Sequence, residues 1–442
     1  MRCPTLADLP LPPEGKTGWP WTKEASRAPE GMPDGKLWPK ISIVTPSYNQ
    51  GQFIEETIRS VLLQGYPDLE YIIIDGGSTD ESVEIIRKYE RWITFWVSEP
   101  DSGQTNAINK GFKRSTGEIV AWLNSDDLYT VDALFTAAKA FAEQPHSAVV
   151  YGKIDTVDAD TSILSHTGTS ILTRIGTSLL LHIKPREFDL EELYRYDYIP
   201  QPASFISAEA IKKIGFLDER FHYTMDYDLW VRLGQKGAVM QYIPKTLAWF
   251  RFHGSSKTVS QQEAFWPEEF MLFDMALKRD ASNASLAGIA YSHMLQLLIF
   301  SQLLQRSDEI FRYASKSTIN DDSEETFYQS FQEVLRLVSM DHPHPEGNYP
   351  LQETLRKVYQ AFDSEYNSGE NNHATDIKSK WVDEQLIFLP NYLLSQGEKT
   401  KSIRLYKKII RTRLSLLRYP RTYRFPARYV ARTNLVSKIR GA

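Results

Sequence analysis

The chain has 442 residues, 42% of them hydrophobic and 12% aromatic, with a formal net charge of −5; this excludes wholesale disorder and leaves ample apolar side chain for a packed core. A single cysteine, Cys3, excludes an intramolecular disulfide and a Cys-based metal cluster and suits a reducing compartment. The charge is uneven: residues 401–442 carry 13 Lys and Arg and no Asp or Glu, which leaves 38 basic against 56 acidic residues, a net −18, in the rest.

Residues 1–39 hold eight prolines and little periodicity, and read as an extended lead-in without the apolar core of a secretory signal. Then the pattern changes. "ISIVTPS" (41–47) is a compact apolar strand. "FIEETIRSVLLQ" (53–64) has helical spacing. "EYIIIDGGSTD" (70–80) is a second strand with glycines at its end. The segments "ESVEIIRKYERW" and "ITFWVSEPDSG" follow as helix and strand, "TNAINKGFKRSTG" as a helix, "EIVAWLNSDD" as another clear strand, "VDALFTAAKAFAEQ" as a helix and "SAVVYGKID" as a strand. Strands alternating with helices of this length predict βαβ units and an α/β fold, with a mainly parallel, Rossmann-like sheet flanked by helices. Runs as continuously apolar as "YIIID" suit a sheet covered on both faces. Right-handed crossovers then bring the strands' carboxyl ends to one edge, where open α/β sheets bind ligands. Four polar clusters fall at those ends: Pro46/Tyr48/Asn49, Asp75, Asp101 and Asp126/Asp127.

The alternation loosens between about 160 and 255, where strands surround one helix starting near Tyr227. Residues 261–400 predict a C-terminal helical region in pieces (263–279, 286–305, 324–338, 351–364 and 378–396). The most apolar stretch, 288–304, contains Ser292, His293, Gln296 and Gln302, and is short against the roughly 20 apolar residues of a membrane span; it reads as a core helix. The domain plan is therefore a lead-in (1–39), a catalytic domain (40–260), a helical region (261–400) and a basic tail (401–442). The tail interleaves Lys and Arg with Leu, Ile, Tyr and Phe. Ile403–Leu417 can form a basic amphipathic helix that binds an anionic membrane surface, or a solvated helix that packs on the acidic body. No nucleic-acid motif accompanies it, and nucleic acid is not expected as a partner.

The adjacent carboxylates of Asp126 and Asp127 pose the sharpest question, because like charges that close oppose each other's ionisation unless a positive charge sits between them. At a strand end both can reach forward and form a hard-oxygen site for Mg²⁺ or Mn²⁺, completed by substrate phosphates. Alone, the pair is equally a solvated turn or a helix N-cap. Asp75 could accept hydrogen bonds from a ribose or base edge, or cap the next helix. "PSYN" (46–49) offers a ring for stacking and an amide, or is an ordinary turn. In "EPDSGQTNAINKG" (99–111), helical spacing gathers Asn106, Asn109 and Lys110 on one face beside Asp101 and Gln104, and Lys110 could pair with phosphate.

In this order and spacing, "SIVTPSYNQGQFIEETIRSVLLQGYPDLEYIIIDGGSTDES", "SEPDSGQTNAINKGF" and "GEIVAWLNSDDLY" resemble a family 2 glycosyltransferase of the GT-A fold over about residues 40–255. The resemblance implies a metal-dependent, inverting transfer of a sugar from a nucleotide-diphospho-sugar to a saccharide or lipid-linked acceptor, in polysaccharide or glycolipid biosynthesis. It also implies a cytoplasmic protein, held at the inner face of a membrane if the tail binds lipid. Carried over residue by residue, Pro46, Tyr48, Asn49 and Asp75 would bind the nucleotide, with Asp101, Gln104, Asn109, Lys110 and Asp126 completing the donor site. Ser125-Asp126-Asp127 matches the family's Asp-x-Asp-like motif, although position 124 is Asn; Asp127 would bind the Mg²⁺ or Mn²⁺ directly, with Asp126 nearer the sugar or ribose. "YTMDYDLWVRL" (223–233) matches the segment of the catalytic base. Asp226 aligns with it, Met225 replaces the usual acidic neighbour, and Asp228 is the second candidate. Arg251 and His253 in "WFRFHGSS" would face the diphosphate or metal, and Gln201 the acceptor. Two further readings stand beside this one: a non-catalytic sugar-nucleotide-binding or scaffold protein on the same fold, and a nucleotidyltransferase, which fits the sheet and the metal but calls for a glycine-rich phosphate loop that this sequence lacks after its first strand.

Overall fold

The strand-like apolar runs predicted between Ile41 and Val157 form strands, and their order in space sets the position of the polar loops. The structure, a computed structural model, describes residues 3–27, 29, 31, 32, 35–165, 185–254, 256, 257, 262–280, 286 and 290. Apart from residues 286 and 290, the predicted helices beyond 280 and the basic tail lie outside the described residues. The strands are β1 (Ile41–Ser47), β2 (Leu69–Asp75), β3 (Phe95–Ser98), β4 (Ile119–Trp122), β5 (Leu128–Tyr129), β6 (Val149–Val157), β7 (Ile163–Ser165), β8 (Ser204–Ser207) and β9 (Met240–Arg251). The helices are α1 (Ile54–Leu62), α2 (Ser82–Tyr89), α3 (Gln104–Arg114), α4 (Ala133–Glu143), α5 (Leu190–Arg195), α6 (Ala208–Ile214), α7 (Met225–Gln235) and α8 (Gln262–Arg279).

One sheet runs β3-β2-β1-β4-β8-β6-β9-β5, with β7 beside β6. Its first half is as expected: β1, β2, β3 and β4 pair in parallel, in register from Ile41↔Leu69 to Ser47↔Asp75. β1, β2 and β4 are buried along their whole lengths, as strands covered on both faces must be. The second half is mixed. β8 runs antiparallel to both β4 and β6, and β9 runs parallel to β6. Two reversals restore direction, so β9 ends on the same edge as β1, β2, β3 and β4, and β8 begins there. The turn Gln201–Ala203 before β8 and the segment after Arg251 are thereby added to the loops that the alternating half supplies.

The chain divides into two compact units, 1–171 with 181–268, and 172–180 with 269–442. In the first, the lead-in is extended but not loose. Cys3, Leu9, Trp19, Trp21 and Trp38 are buried, and Trp19 donates its indole N–H to the Tyr129 carbonyl at 2.8 Å. Arg59 of α1 is buried and donates to the carbonyls of Pro10, Pro20 and Trp21. A proline-rich segment has few backbone donors of its own, so its carbonyls take partners from a side chain with five. In the second unit, α8 continues from Glu269 and buries Phe270, Leu272, Phe273 and Ala276.

α3 lies so close on β1 that a Cβ at Gly111 would sit 2.3 Å from Val44 Cγ1. Gly111→Ala is therefore expected to cost about 1–3 kcal/mol through overpacking, despite alanine's better helix propensity. A urea midpoint that rose instead would show that the helix can retreat from the sheet.

Candidate active site

Asn124 to Asp127 form the turn after β4, closed by the Asp127 N–H on the Asn124 carbonyl at 3.1 Å. The turn is held from both sides: Thr57 of α1 donates to the Asp127 carbonyl at 2.7 Å, and the Arg251 backbone N–H donates to Asp127 Oδ1 at 2.9 Å. Asp127 is 1% exposed. Burial, and then the neighbouring charge of Asp126, push its carboxyl well above the usual range. The Asp126 carboxylate accepts from His253 Nε2 at 3.0 Å, and the His253 ring packs on Phe53 with centroids 4.5 Å apart.

Arg251, expected to face the diphosphate, does not. Its guanidinium is buried, pairs with Glu56 at 2.7 Å, and donates to the carbonyls of Asp126, Asp158 and Ala159. It lies over the Phe53 ring. Arg251 is a strut that fixes the Asp126–Asp127 turn from behind, with its charge answered by Glu56.

At the end of β1, Pro46 is buried inside the strand, whereas Tyr48 is 62% exposed beyond it. Asn49 takes a positive φ of 51°. Its backbone N–H donates to Ser78 Oγ and its side-chain oxygen accepts from the Thr79 N–H, so it ties the β1 loop to the β2 loop. Asp75 does not offer a free carboxylate. It is buried, and its two oxygens accept from Ser47, Ser98 and the Ser78 hydroxyl and from the N–H groups of Gly77 and Ser78. In this conformation Asp75 organises the loop. Asp101 lies against the same loop: a Cβ at Gly76 would lie 3.0 Å from Asp101 Oδ2. The missing side chain at Gly76 is the room that the Asp101 carboxylate fills.

Gln104 opens α3 and donates to Asn124 Oδ1 at 2.7 Å, which links it to the carboxylate turn. Asn109 and Lys110 point elsewhere, contrary to expectation. Asn109 is buried and exchanges bonds with the backbone of Leu217 and with Glu219. Lys110 pairs with Glu99 at 2.8 Å on the surface. Helical spacing places both on one face correctly, but that face meets the 217–219 segment and the surface instead of the ligand edge.

Gln201 is buried; it donates to the Trp122 carbonyl at 2.8 Å, and its side-chain oxygen faces Asn124 at 3.3 Å. The amides of Gln104, Asn124 and Gln201 thus form a chain across the floor of the site.

Across from the carboxylate turn stands the start of α7. Met225 is buried, so the apolar residue in place of an acid is a core residue. Asp226 follows, half-buried, and burial followed by repulsion from Glu268 push its carboxyl up to about 6. Asp228 is not a second base: it is fully buried and bonded to Arg232 Nε at 2.7 Å, and Arg232 also holds the carbonyls of Ile214 and Phe216.

Two residues here carry no motif in the sequence. Lys257 donates to Gln104 Oε1 at 2.9 Å and to the His222 carbonyl at 3.0 Å, and lies over the Tyr223 ring. Burial lowers its pKa, opposed by the charges of Glu268, Asp126 and Asp226. Glu268 accepts from the N–H groups of His222, Tyr223 and Thr224. Among the described residues, no cluster of three His, Cys, Asp or Glu could hold a metal unaided.

Residues 42–215 match the family model described as glycosyl transferase family 2. An uncharacterized glycosyltransferase of Rickettsia typhi is 28% identical over 241 residues, covering 52% of this chain and 70% of that protein. The putative teichuronic acid biosynthesis glycosyltransferase TuaG of Bacillus subtilis is 42% identical over 99 residues, 22% of this chain and 39% of its own length. Among solved structures, residues 1–349 of S. aureus TarS in complex with UDP-GlcNAc align with a TM-score of 0.50 at 16% identity, over 75% of this chain and 93% of that one. The shared architecture is the GT-A fold.

Proposed function

We propose that this chain, which belongs to the family 2 glycosyltransferases, moves a sugar from a nucleotide-diphospho-sugar to a saccharide or lipid-linked acceptor in polysaccharide synthesis, with inversion at the anomeric carbon. One observation carries the reading. The carboxylates of Asp126 and Asp226 lie at one sheet edge within the field of the Lys257 ammonium, with Asp127 beside Asp126 and the Asp226 carboxyl raised toward neutrality. The name of the Bacillus relative supports a polysaccharide product.

Asp126 and Asp127 fit a divalent cation. Their charges are adjacent, and the nearby guanidinium of Arg251 is already paired with Glu56. Mg²⁺ and Mn²⁺ are commonly held by one or two carboxylates with substrate phosphates supplying further oxygens. Asp127 and Asp126 would hold such an ion, which would stabilise charge on the leaving diphosphate. His253 would orient Asp126. On the nucleotide side, Tyr48 offers a ring for stacking, and Asp101 takes the acceptor role expected of Asp75.

In the transfer step, the acceptor hydroxyl loses its proton to Asp226 as its oxygen bonds the anomeric carbon. The bond from that carbon to the diphosphate breaks, and its electron pair leaves with the phosphate oxygen. A base with a pKa near 6 is mostly ionised at neutral pH yet still basic enough to take a proton.

No described helix is long and apolar enough to cross a membrane. The charge of residues 401–442 supports contact with an anionic membrane surface.

The donor site is tested by thermal shift with UDP-, GDP- and dTDP-sugars, with and without Mn²⁺. The expected result is a metal-dependent rise in Tm with one nucleotide class that disappears in Asp127→Ala. No rise with any donor would remove the transferase reading and favour a scaffold on the same fold.

A further inference from the structure

The segment that leads into α7, His222–Thr224, carries backbone N–H groups that need acceptors, and Thr224, the capping residue of α7, makes no side-chain cap of its own. The acceptor comes from 44 residues away. Glu268 Oε1 accepts from the His222 N–H at 2.8 Å, and Oε2 accepts from the N–H groups of Tyr223 at 2.7 Å and Thr224 at 3.0 Å. The Thr224 hydroxyl adds a weaker contact at 3.3 Å. Three consecutive backbone donors on one carboxylate fix the conformation of the segment that leads into Asp226. The opposite side of that segment is fixed by Lys257, whose ammonium takes the His222 carbonyl at 3.0 Å. Lys257 also takes Gln104, which bonds Asn124 of the carboxylate turn.

We propose that Glu268 and Lys257 are the positioning residues of the base: together they clamp His222–Thr224, and their opposite charges balance on Asp226. This rests on the reading of Asp226 as the base. Neither residue touches the reacting atoms. Glu268 makes the site more negative and disfavours ionisation of Asp226, whereas Lys257 favours it. Among the described residues, the charges that act on Asp226 come from Glu268 on α8 and Lys257 after β9; Lys257 also lies over the Tyr223 ring and feels Asp126 of the turn after β4. The clamp also explains why Glu268, a buried carboxylate, is tolerated: charge-assisted bonds to three N–H groups offset its desolvation.

The test reads Asp226 directly. In the full chain labelled with ¹³C at the aspartate carboxyl, the Asp226 resonance is assigned by its loss in Asp226→Asn and titrated by NMR in wild type, Glu268→Gln and Lys257→Met. Removing the neighbouring anion should move the Asp226 midpoint down, and removing the cation should move it up, each by about one pH unit, as close charges do. The two displacements in opposite directions are the signature of a balanced pair. If both variants titrate as wild type, or both move the same way, the proposal is overturned and the residues only support the fold, even if Tm falls. Glu268→Asp, which keeps the charge, should restore the wild-type midpoint in part; a midpoint like that of Glu268→Gln would count against the electrostatic role. This titration needs no donor. Full transferase activity in Asp226→Asn would sink the base reading while leaving the NMR result intact, so the two failures are separable.

Discussion

Asp226→Asn is expected to reduce nucleotide-sugar transfer by about 10²–10⁴-fold, the usual worth of a general base. On the proposed role of Asp226 as the base, the donor's affinity should stay nearly unchanged, because an interaction made only in the transition state lowers kcat and kcat/KM together. The wild-type profile should fall on the acid side of pH about 6, where burial and Glu268 have pushed the Asp226 carboxyl. The sign follows from the chemistry. Asp226 acts when ionised, so activity is present above that pH and is lost, about tenfold per pH unit, below it. Asp228→Asn offers the contrast. Asp228 is fully buried and paired with Arg232, so its loss should appear as a lowered unfolding midpoint in a protein whose acid limb is unmoved. Steady-state kinetics across pH on both variants checks the assignment. Retained activity in Asp226→Asn would move the base elsewhere.

Arg251→Met is expected to destabilise the protein by about 3–5 kcal/mol, the range for removing one partner of a buried ion pair. The guanidinium occupies a site where nearly every donor is used: the Glu56 carboxylate, three backbone carbonyls and the Thr161 hydroxyl. Methionine fills some of the volume but leaves Glu56 buried without its cation. Trp21 and Thr161 still donate to Glu56, and their bonds cannot replace a full charge. Denaturant midpoints should also show that the double variant Glu56→Gln/Arg251→Met regains part of the loss, because no uncompensated charge remains. Because Arg251 holds the Asp126 carbonyl from behind, the Mn²⁺-dependent donor shift should weaken as well. An unchanged midpoint would mean that water reaches the Glu56 carboxylate.

The two aspartates of α7 show how far sequence alone could go. Residues two apart on a helix do not share a face, so Asp226 and Asp228 could not both serve the site. Arg232, four residues after Asp228, was the readable sign that Asp228 already had a partner. Asn109 shows the limit. Its partners are Leu217 and Glu219, more than a hundred residues away, and nothing near it in the chain announces them. Asp75 is similar: the serines and glycine in its own loop hinted that it would be bonded locally, but Ser98 comes from a neighbouring strand.

The alternation of apolar runs and helices determined the α/β class, the parallel first half of the sheet, and the gathering of Tyr48, Asp101 and Asp126/Asp127 at one edge. These follow from local periodicity and from the handedness of crossovers, which act over tens of residues. Only the tertiary structure decided that β8 reverses, so that Gln201 and the segment after Arg251 join that edge. It likewise decided that Arg251 is a strut, that Asp101 fills the space over Gly76, and that Lys257 and Glu268 meet at the His222–Thr224 segment. The reason is physical. A side chain's neighbours across a sheet or between helices are set by the packing of distant segments, and a lone Lys or Glu carries the same local pattern whether it ends in solvent or beside a buried carboxyl.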